Sequence, residues 1–381
     1  MANKRHTSGR RQHERVTASD VARLAGVSPM TVSRVVNGET SVRESTRIAV
    51  ERAIKQLGYS PNKAARSLAS ASPIKIGLLY SDPSSTFLTA MLLGMLEQAR
   101  RSDTQIVVVA CDDGPEAMGV VQGMIENGVD GILLAPPLCD SVRLFRVLRE
   151  EDMPGVTIGA SHPEEGCSSV SIDDYQAALT MTRHLLSLGH ERIGFLVGTP
   201  EQSASQLRLK GFRAGMQEAG LEVDESLIVQ GVYSYRSGFD GADQLLNLEN
   251  PPSAIFAGND DMAAGAIAMA HWHRIEVPRD LTVVGFDDTM MATASAPEIT
   301  TIRQPIADMS AAAIELLERN IRQQRNGAGV KLECLDLDYR LVARGSDSPP
   351  GSEQATGRQK QPQARVARRF RSSSSRKPPA R

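Results

Sequence analysis

The sequence predicts a small all-α head followed by a larger α/β body. Capped helical patterns occupy the first part of the chain, and beyond residue 73 apolar strand-like runs alternate with amphipathic helical patterns. That alternation is typical of parallel sheets covered by helices. The runs fall into two groups, so two similar lobes are expected. With 381 residues, of which 41% are hydrophobic, the chain is long enough for two or three packed domains.

Formal charge is unevenly distributed along the chain. Residues 1–70 contain 13 Lys/Arg and 5 Asp/Glu, and residues 346–381 contain 9 and 2; since the whole chain carries −2, the stretch between them carries −17. A basic head on an acidic body indicates a polyanionic partner for the head. Both ends are polar and lack periodicity, which predicts a flexible basic arm at 1–16 and a disordered basic tail at 346–381.

The head pattern predicts three helices. Thr17 caps the first helix, and Gly26 ends it. Ser28 caps the second, with Pro29 at its first position, and a third covers residues 43–57. A helix, a tight turn and a second capped helix form a helix-turn-helix, whose second helix fits the major groove of DNA. A helical bundle with no DNA role has similar caps, so both interpretations stay open on this pattern alone.

The body pattern gives no indication of an enzyme. Strand-like runs such as IKIGLLY, RIGFLVG and LTVVGF are not followed by the glycine-rich phosphate loops of nucleotide-binding enzymes, and the G-x-S-x-G motif of hydrolases is absent. The four cysteines and seven histidines lack metal-ligand spacing. We therefore expect no catalytic residues, no cofactor and no metal. No apolar run is long enough to span a bilayer, so no membrane partner is expected.

The segment from Val16 to Ala69, VTASDVARLAGVSPMTVSRVVNGETSVRESTRIAVERAIKQLGYSPNKAARSLA, resembles the head of the LacI/GalR transcriptional regulators. A looser resemblance continues to about Arg344. It implies a helix-turn-helix DNA-binding domain at 17–61, a hinge helix at 62–72, and a ligand-binding and dimerisation body at 73–345 that is similar to periplasmic binding proteins. Crossings near Ile172, Ile302 and Lys331 would divide the body into lobe 1 (about 73–172 and 303–330) and lobe 2 (about 173–302 and 331–345).

The resemblance also implies which residues contact DNA. Pro29, Met30 and Arg34 would face base edges, and Arg34 can pair with guanine through two hydrogen bonds. Leu68 would insert between base pairs in the minor groove from a hinge helix that folds on the operator. Contacts to DNA are expected from Thr17, Ser28, Pro29, Met30, Thr31, Ser33, Arg34, Asn37, Asn62, Lys63, Arg66 and Leu68.

Four positions, Ser81, Arg208, Asn259 and Asp287, match the ligand-contacting motifs of the family, whereas Ser161 stands where relatives often carry an acid. Ligands of open α/β sheets bind beyond the carboxyl ends of the strands. Alternatives remain: Arg208 can pair with Asp287 or another acid, Asn259 can cap the helix that follows it, and Asp287 or Asp288 can cap another helix. The expected ligand-binding residues are Ser81, Phe87, Leu88, Ser161, Arg208, Tyr233, Asn259 and Asp287.

The function implied is sequence-specific control of transcription. We expect a homodimeric repressor that binds a palindromic operator in double-stranded DNA and responds to a small effector, a sugar or sugar derivative. Such a protein would act in the cytoplasm, at the nucleoid. The alternative is a solute-binding protein without a DNA role, which would have no use for the basic helical head.

Overall fold

The computed structural model of this chain describes residues 18–36, 43–57, 73–81, 85–160 and 167–351. These residues divide into two compact units. Unit 1 contains the described residues of Met1–Asp174 with Pro200–Leu207 and Gln304–Tyr339, and unit 2 contains Tyr175–Thr199, Arg208–Arg303 and the described residues of Arg340–Arg381. The chain therefore passes between the units several times.

The head contains the helices α1 (Ala18–Ala25), α2 (Pro29–Val36) and α3 (Glu44–Leu57). Gly26 follows α1 at φ +68°, a left-handed conformation that glycine adopts without steric cost. This is the turn that the sequence predicts. The apolar faces of the three helices form a small core of Val21, Ala22, Val32, Val50 and Ala53.

Unit 1 is built on a parallel sheet that has six strands among the described residues. They are β1 (Lys75–Tyr80), β2 (Gln105–Ala110), β3 (Gly131–Leu134), β4 (Gly155–Ile158), β5 (Ser168–Ser171) and β11 (Cys334–Asp336), in the order β11-β5-β4-β3-β1-β2. The helices of this unit are α4 (Thr86–Ser102), α5 (Ala117–Glu126), α6 (Val142–Glu150) and α12 (Ile306–Arg325). Helix α12 packs on β3, β4 and β5, and α4 packs on α12.

Unit 2 has a four-stranded parallel sheet among its described residues. The strands are β6 (Ile193–Val197), β7 (Ile228–Gln230), β8 (Ala254–Ala257) and β9 (Thr282–Val284), in the order β7-β6-β8-β9. A separate antiparallel pair is formed by β10 (Thr301–Arg303) and β12 (Arg340–Val342). The helices are α7 (Asp174–Ser187), α8 (Ser203–Glu218), α9 (Tyr235–Leu246), α10 (Asp260–Trp272) and α11 (Met290–Ala294). Asp174 at the start of α7 and residues 203–207 at the start of α8 are counted with unit 1. Parallel sheets with helices in both units confirm the predicted fold class.

The boundaries between the units differ in part from the expected crossings. The chain passes from unit 1 to unit 2 between residues 174 and 175, and back between residues 303 and 304, close to the expected crossings at Ile172 and Ile302. Its last crossing into unit 2 falls after Tyr339 rather than near Lys331. Strand β11 causes this difference, because it pairs in parallel with β5 and keeps residues 334–336 in the sheet of unit 1. The sequence also gives no sign of the short return of the chain to unit 1 at Pro200–Leu207.

The ordered body extends beyond residue 345, where the sequence predicts the tail to begin. Ser346 is fully buried in unit 2, and its carbonyl accepts the Val283 N–H at 2.9 Å. Its hydroxyl accepts the Thr300 N–H at 2.9 Å and donates to the Val283 carbonyl. Asp347 follows with a hydrogen bond to His184 at 2.6 Å. Residues 346–348 therefore belong to unit 2, and the part of the tail that lies outside the described residues begins at 352.

Replacing Ser346 with alanine should destabilise unit 2. The change would leave the Thr300 N–H and the Val283 carbonyl without their buried hydroxyl partner, at a cost of about 1–3 kcal/mol in the free energy of unfolding. Urea denaturation measures the change, with Ser187→Ala as the matched control because that hydroxyl is exposed. Equal stability of the two variants would contradict the role given to Ser346.

Candidate nucleic-acid interface and ligand site

The second helix of the head begins at an exposed, capped end. The Ser28 hydroxyl accepts the Thr31 N–H at 3.2 Å and lies 2.9 Å from the Thr31 hydroxyl. Ser28 and Pro29 are exposed, whereas Val32 on the same helix is buried at 1% exposure. The cap therefore fixes the first turn of α2 and leaves its start accessible, as entry into a DNA groove requires.

The remaining residues expected at DNA are less completely described. Met30, Ser33 and Arg34 lie on α2 by their backbone. Six of the expected residues lie outside the described part of the chain, namely Thr17, Asn37, Asn62, Lys63, Arg66 and Leu68.

Four of the residues expected at the ligand lie in unit 2, and Arg208 is the centre of their contacts. Its guanidinium carbon lies 3.6 Å from the centre of the Phe286 ring, and its NH1 group donates to the Gly258 carbonyl at 2.8 Å. The same group lies 3.6 Å from Oδ1 of Asp287. Both charged side chains are at most 7% exposed. A buried arginine is thus neutralised by a carboxylate and covered by an aromatic ring.

Asn259 follows β8 and holds two neighbouring segments. Its Oδ1 accepts the Met262 N–H at 2.9 Å and caps α10, and its Nδ2 donates to the Tyr233 carbonyl at 3.1 Å. Capping is the alternative role that the sequence left open for this residue. A carboxamide has two N–H donors and two acceptor lone pairs, so these contacts use half of its capacity.

Tyr233 is held in place by an unusual backbone and by a glycine. Its φ is +58°, a left-handed value that is uncommon for a bulky residue, and its carbonyl is the acceptor of the Asn259 bond. Its ring lies against Gly198, where an added Cβ would be 2.0 Å from the ring carbon Cζ. Gly198 and Phe286 are site residues that the sequence pattern did not identify, although each is the last residue of a predicted strand run.

Two more carboxylates, which were not among the expected ligand-binding residues, lie beside Asp287. Asp260 is fully buried and accepts hydrogen bonds from the Thr289 N–H at 2.8 Å and the Thr301 hydroxyl at 2.7 Å. Burial raises the pKa of Asp260 to about 7, against the opposing effect of these hydrogen bonds. Asp288, with 5% of its side chain exposed, forms ion pairs with Arg303 and Arg344. The carboxyl end of this sheet therefore concentrates buried acids and arginines.

The candidates in unit 1 occupy a different environment. Ser81 directly follows β1, is half-buried, and lines a cavity of about 580 Å³ together with Cys111, Asp112 and Glu116. Burial raises the pKa of the Cys111 thiol, so it remains protonated at neutral pH. Phe87 is half-buried on α4, and its neighbour Leu88 is only 7% exposed, inside unit 1. Ser161 lies outside the described residues.

Metal clusters and membrane-spanning helices are both absent from the described residues. No group of three or more His, Cys, Asp or Glu side chains in the described part of the chain is placed to hold a metal ion. Among the same residues, no helix combines the length and apolarity needed to cross a membrane.

Family comparisons match both parts of the chain. The model for "Bacterial regulatory proteins, lacI family" matches residues 17–62, and the model for "Periplasmic binding protein-like domain" matches residues 182–346. Catabolite control protein A from Priestia megaterium is 35% identical over 333 residues, which cover 87% of this chain and 99% of that protein. The ribose operon repressor from Escherichia coli (strain K12) is 32% identical, with coverage of 87% and 99%.

Solved structures give the same result. A complex of the transcriptional regulator CelR with cellobiose matches with a TM-score of 0.65 and 32% identity, and covers 87% of this chain and 100% of that chain. The Lac repressor dimer bound to operator and the anti-inducer ONPF matches with a TM-score of 0.63 and 29% identity, and covers 88% and 100%.

The buried carboxyl of Asp260 should make the stability of unit 2 depend on pH. The folded pKa of about 7 lies above the ordinary value of 3.8, so the folded state holds the extra proton between these values. Stability should therefore fall as pH rises from about 4 to about 7, by at most about 1.4 kcal/mol per pH unit. In Asp260→Asn this slope should disappear, because the amide does not titrate.

Urea denaturation across this pH range, compared between the two proteins, measures the effect. The amide can still accept the Thr289 N–H and can donate to the Thr301 hydroxyl, so the variant should fold. Asp240→Asn is the matched control, since that carboxylate is half-exposed and paired with Arg236. Parallel pH profiles for wild type and Asp260→Asn would refute the prediction.

Proposed function

This chain belongs to the lacI family of bacterial regulatory proteins and is a DNA-binding transcriptional regulator rather than an enzyme; we propose that it is a homodimeric repressor whose operator affinity is controlled by a sugar or sugar derivative. The observation that supports control by a ligand is that four expected ligand residues come together at the carboxyl end of the sheet of unit 2, namely Arg208, Tyr233, Asn259 and Asp287.

The head provides the DNA-binding element of this proposal. An exposed start of α2, capped by Ser28, and a net charge of +8 over residues 1–70 suit binding to phosphates and to the major groove. Arg34 is proposed as the main hydrogen-bonding contact to a base, and Leu68 as the minor-groove wedge of the hinge. Because its proposed target is chromosomal DNA, we propose that the protein acts in the cytoplasm, at the nucleoid.

The chemistry of the cluster in unit 2 favours a polyhydroxylated ligand. Asp287 can accept hydrogen bonds from hydroxyl groups, and Arg208 can donate hydrogen bonds to hydroxyl oxygens. Tyr233 offers an aromatic surface for the apolar face of a sugar ring. Two relatives have names that mention sugars, the CelR–cellobiose complex and the ribose operon repressor. A ligand that distinguishes two states of the body changes operator affinity, typically by about 5- to 150-fold.

The second protomer is proposed to cover an apolar surface of unit 1. Leu93 and Leu96 on α4 are 65% and 58% exposed, and Val108 on β2 is 44% exposed. β2 is the edge strand of the described sheet, and an exposed apolar edge favours association. The related Lac repressor structure is described as a dimer. A two-fold symmetric protein requires a palindromic operator.

Replacing Arg34 with alanine should weaken base discrimination. Loss of a bidentate contact to guanine costs about 1–3 kcal/mol at one position of each half-site, while binding to phosphates remains. Selection of operators from a randomised duplex library by the full-length protein measures the preference. The same selection on wild type is the control and yields the operator. An unchanged sequence preference would remove Arg34 from the base-contacting set, and failure of wild type to select any palindrome would refute the proposed function.

Replacing Asp287 with asparagine should abolish the ligand response; the loss of the buried partner of Arg208 lowers stability, and the variant that remains folded at the assay temperature, as thermal unfolding shows, should still bind the operator. Cellobiose, ribose, other sugars, sugar phosphates and purines are first screened against wild type by thermal shift, then for their effect on operator affinity. In the variant, the compound that changes the operator affinity of wild type should have no effect, because an uncharged amide replaces the Asp287 carboxylate that would accept hydrogen bonds from the ligand hydroxyls. Asp240→Asn serves as the control. A full response in Asp287→Asn would exclude this residue from the ligand site.

A further inference from the structure

The two charged residues of the proposed effector site neutralise each other. Arg208 and Asp287 are the charged members of the expected ligand set, and they lie 3.6 Å apart with at most 7% of either side chain exposed. The Phe286 ring already covers the guanidinium at 3.6 Å, and the Gly258 carbonyl accepts a hydrogen bond from it at 2.8 Å. A ligand that reaches this arginine therefore meets a cation whose charge is already balanced.

The neighbouring charges in unit 2 are balanced in the same way. Asp288 forms ion pairs with Arg303 and Arg344, and Arg344 also lies 3.6 Å from a carboxylate oxygen of Glu298. Asp260, which is fully buried beside them, can only add negative charge. These contacts leave no excess of positive charge around Asp287 to attract an anion.

The carboxyl end of the sheet of unit 1 is acidic. Its strands are parallel, so the residues that follow them lie along one edge of the sheet. Among the described residues within three positions of a strand end there is no Lys or Arg, and there are five aspartates: Asp112, Asp113, Asp173, Asp174 and Asp338. Arg143 approaches this end from α6, and it lies 3.9 Å from Asp113. This edge, like that of unit 2, suits an anion poorly.

These charges distinguish between possible ligands. A phosphate or carboxylate group binds tightly where a cation is not already matched by an acid. Beside Arg208 such a group would bring a second negative charge close to the Asp287 carboxylate, in buried surroundings where charges are poorly solvated. A hydroxyl group carries no charge, and it can donate to the carboxylate and accept from the guanidinium while the ion pair stays intact.

We propose that Asp287 is a specificity-determining residue that excludes anionic effectors, so that the effector is an uncharged polyol without a phosphate or carboxylate group. This inference rests on the proposed function, and it narrows the ligand class of the same site. Without the carboxylate of Asp287, Arg208 loses a buried counter-charge, and the preference of the site should shift towards anions.

The first experiment does not require that the effector be known. Asp287→Gly removes the carboxylate, leaves space for a small anion, and suits the φ of 111° at this position. Thermal unfolding of the full protein is followed in sodium formate and in sodium chloride at equal ionic strength. Formate should raise the Tm of Asp287→Gly above its value in chloride, because it binds the folded state in place of the lost carboxylate. Wild type should have the same Tm in both salts.

Two variants show where formate acts. The double variant Arg208→Met, Asp287→Gly lacks the cation as well, and its Tm should be the same in formate and in chloride. Asp240→Asn is the matched control for loss of an aspartate, since that side chain is 48% exposed and pairs with Arg236 at the surface. It should also show no effect specific to formate.

The second experiment compares ligands that differ only in charge. Ribose is paired with ribose 5-phosphate, and cellobiose with cellobionate, and binding to wild type and to Asp287→Asn is measured by calorimetry. Asparagine tolerates a positive φ better than most residues, so this variant also serves if the glycine variant does not fold. Wild type should bind the uncharged member of a pair at least about tenfold more tightly than the anionic member. In Asp287→Asn the difference should shrink or reverse.

Three outcomes would overturn the proposal. The first is a Tm of Asp287→Gly that is equal in formate and in chloride, and the second is an increase in formate that is as large in wild type. The third is tighter binding of ribose 5-phosphate or cellobionate than of the parent sugar by wild type. If no sugar binds or changes operator affinity, control by a sugar is refuted, whereas the formate experiment still decides whether Asp287 excludes anions.

Discussion

The balance of buried charge at the carboxyl end of the sheet of unit 2 is the constraint on which the rest of this site depends. Asp287 neutralises Arg208, and the adjacent Asp288 binds both Arg303 and Arg344. Removing one member of such a set leaves a charge buried without its partner, at a cost of about 3–5 kcal/mol. The positive φ values of Asp287 and Asp288, 111° and 59°, are strained conformations that this set of ion pairs holds in place.

This arrangement joins the ligand candidates to the strands that carry the chain out of and into unit 2. Arg303 ends β10, directly before the passage to unit 1, and Arg344 lies shortly after the return of the chain in β12. Asp287 is also tied to β10, since its N–H donates to the Ile302 carbonyl at 2.8 Å. A ligand that binds Asp287 therefore acts on a loop that is bonded to the crossing strands. A regulator needs such a connection, because a ligand shifts an equilibrium only through contacts that differ between the two states.

The sequence predicted most of the fold, because buried parallel strands produce continuous apolar runs. The sequence pattern did not predict elements that are buried through hydrogen bonds between polar side chains. β5 has the sequence Ser-Ser-Val-Ser, yet it is buried: the Ser168 hydroxyl accepts the Glu333 N–H at 3.1 Å and is hydrogen-bonded to Asn320. A hydrophobic pattern cannot reveal such a strand, nor its partner β11. The sequence pattern did not predict the burial of Ser346 for the same reason, since hydrogen bonds to a sheet edge hold this polar segment in the fold.

Only those residues of the candidate site that directly follow a predicted strand run could be identified from the strand pattern. Asn259 and Asp287 each follow a strand run, so parallel topology brings them to the same end of the sheet. The contacts that shape the site also depend on side chains from other segments that pack against the ends of these strands. Gly198 is required because the Tyr233 ring occupies the space that a Cβ would need, and Phe286 covers the guanidinium of Arg208. A glycine or an aromatic residue at the end of a predicted strand run is therefore itself a signal of a site, because that position requires either close approach of another segment or a cover for a buried charge.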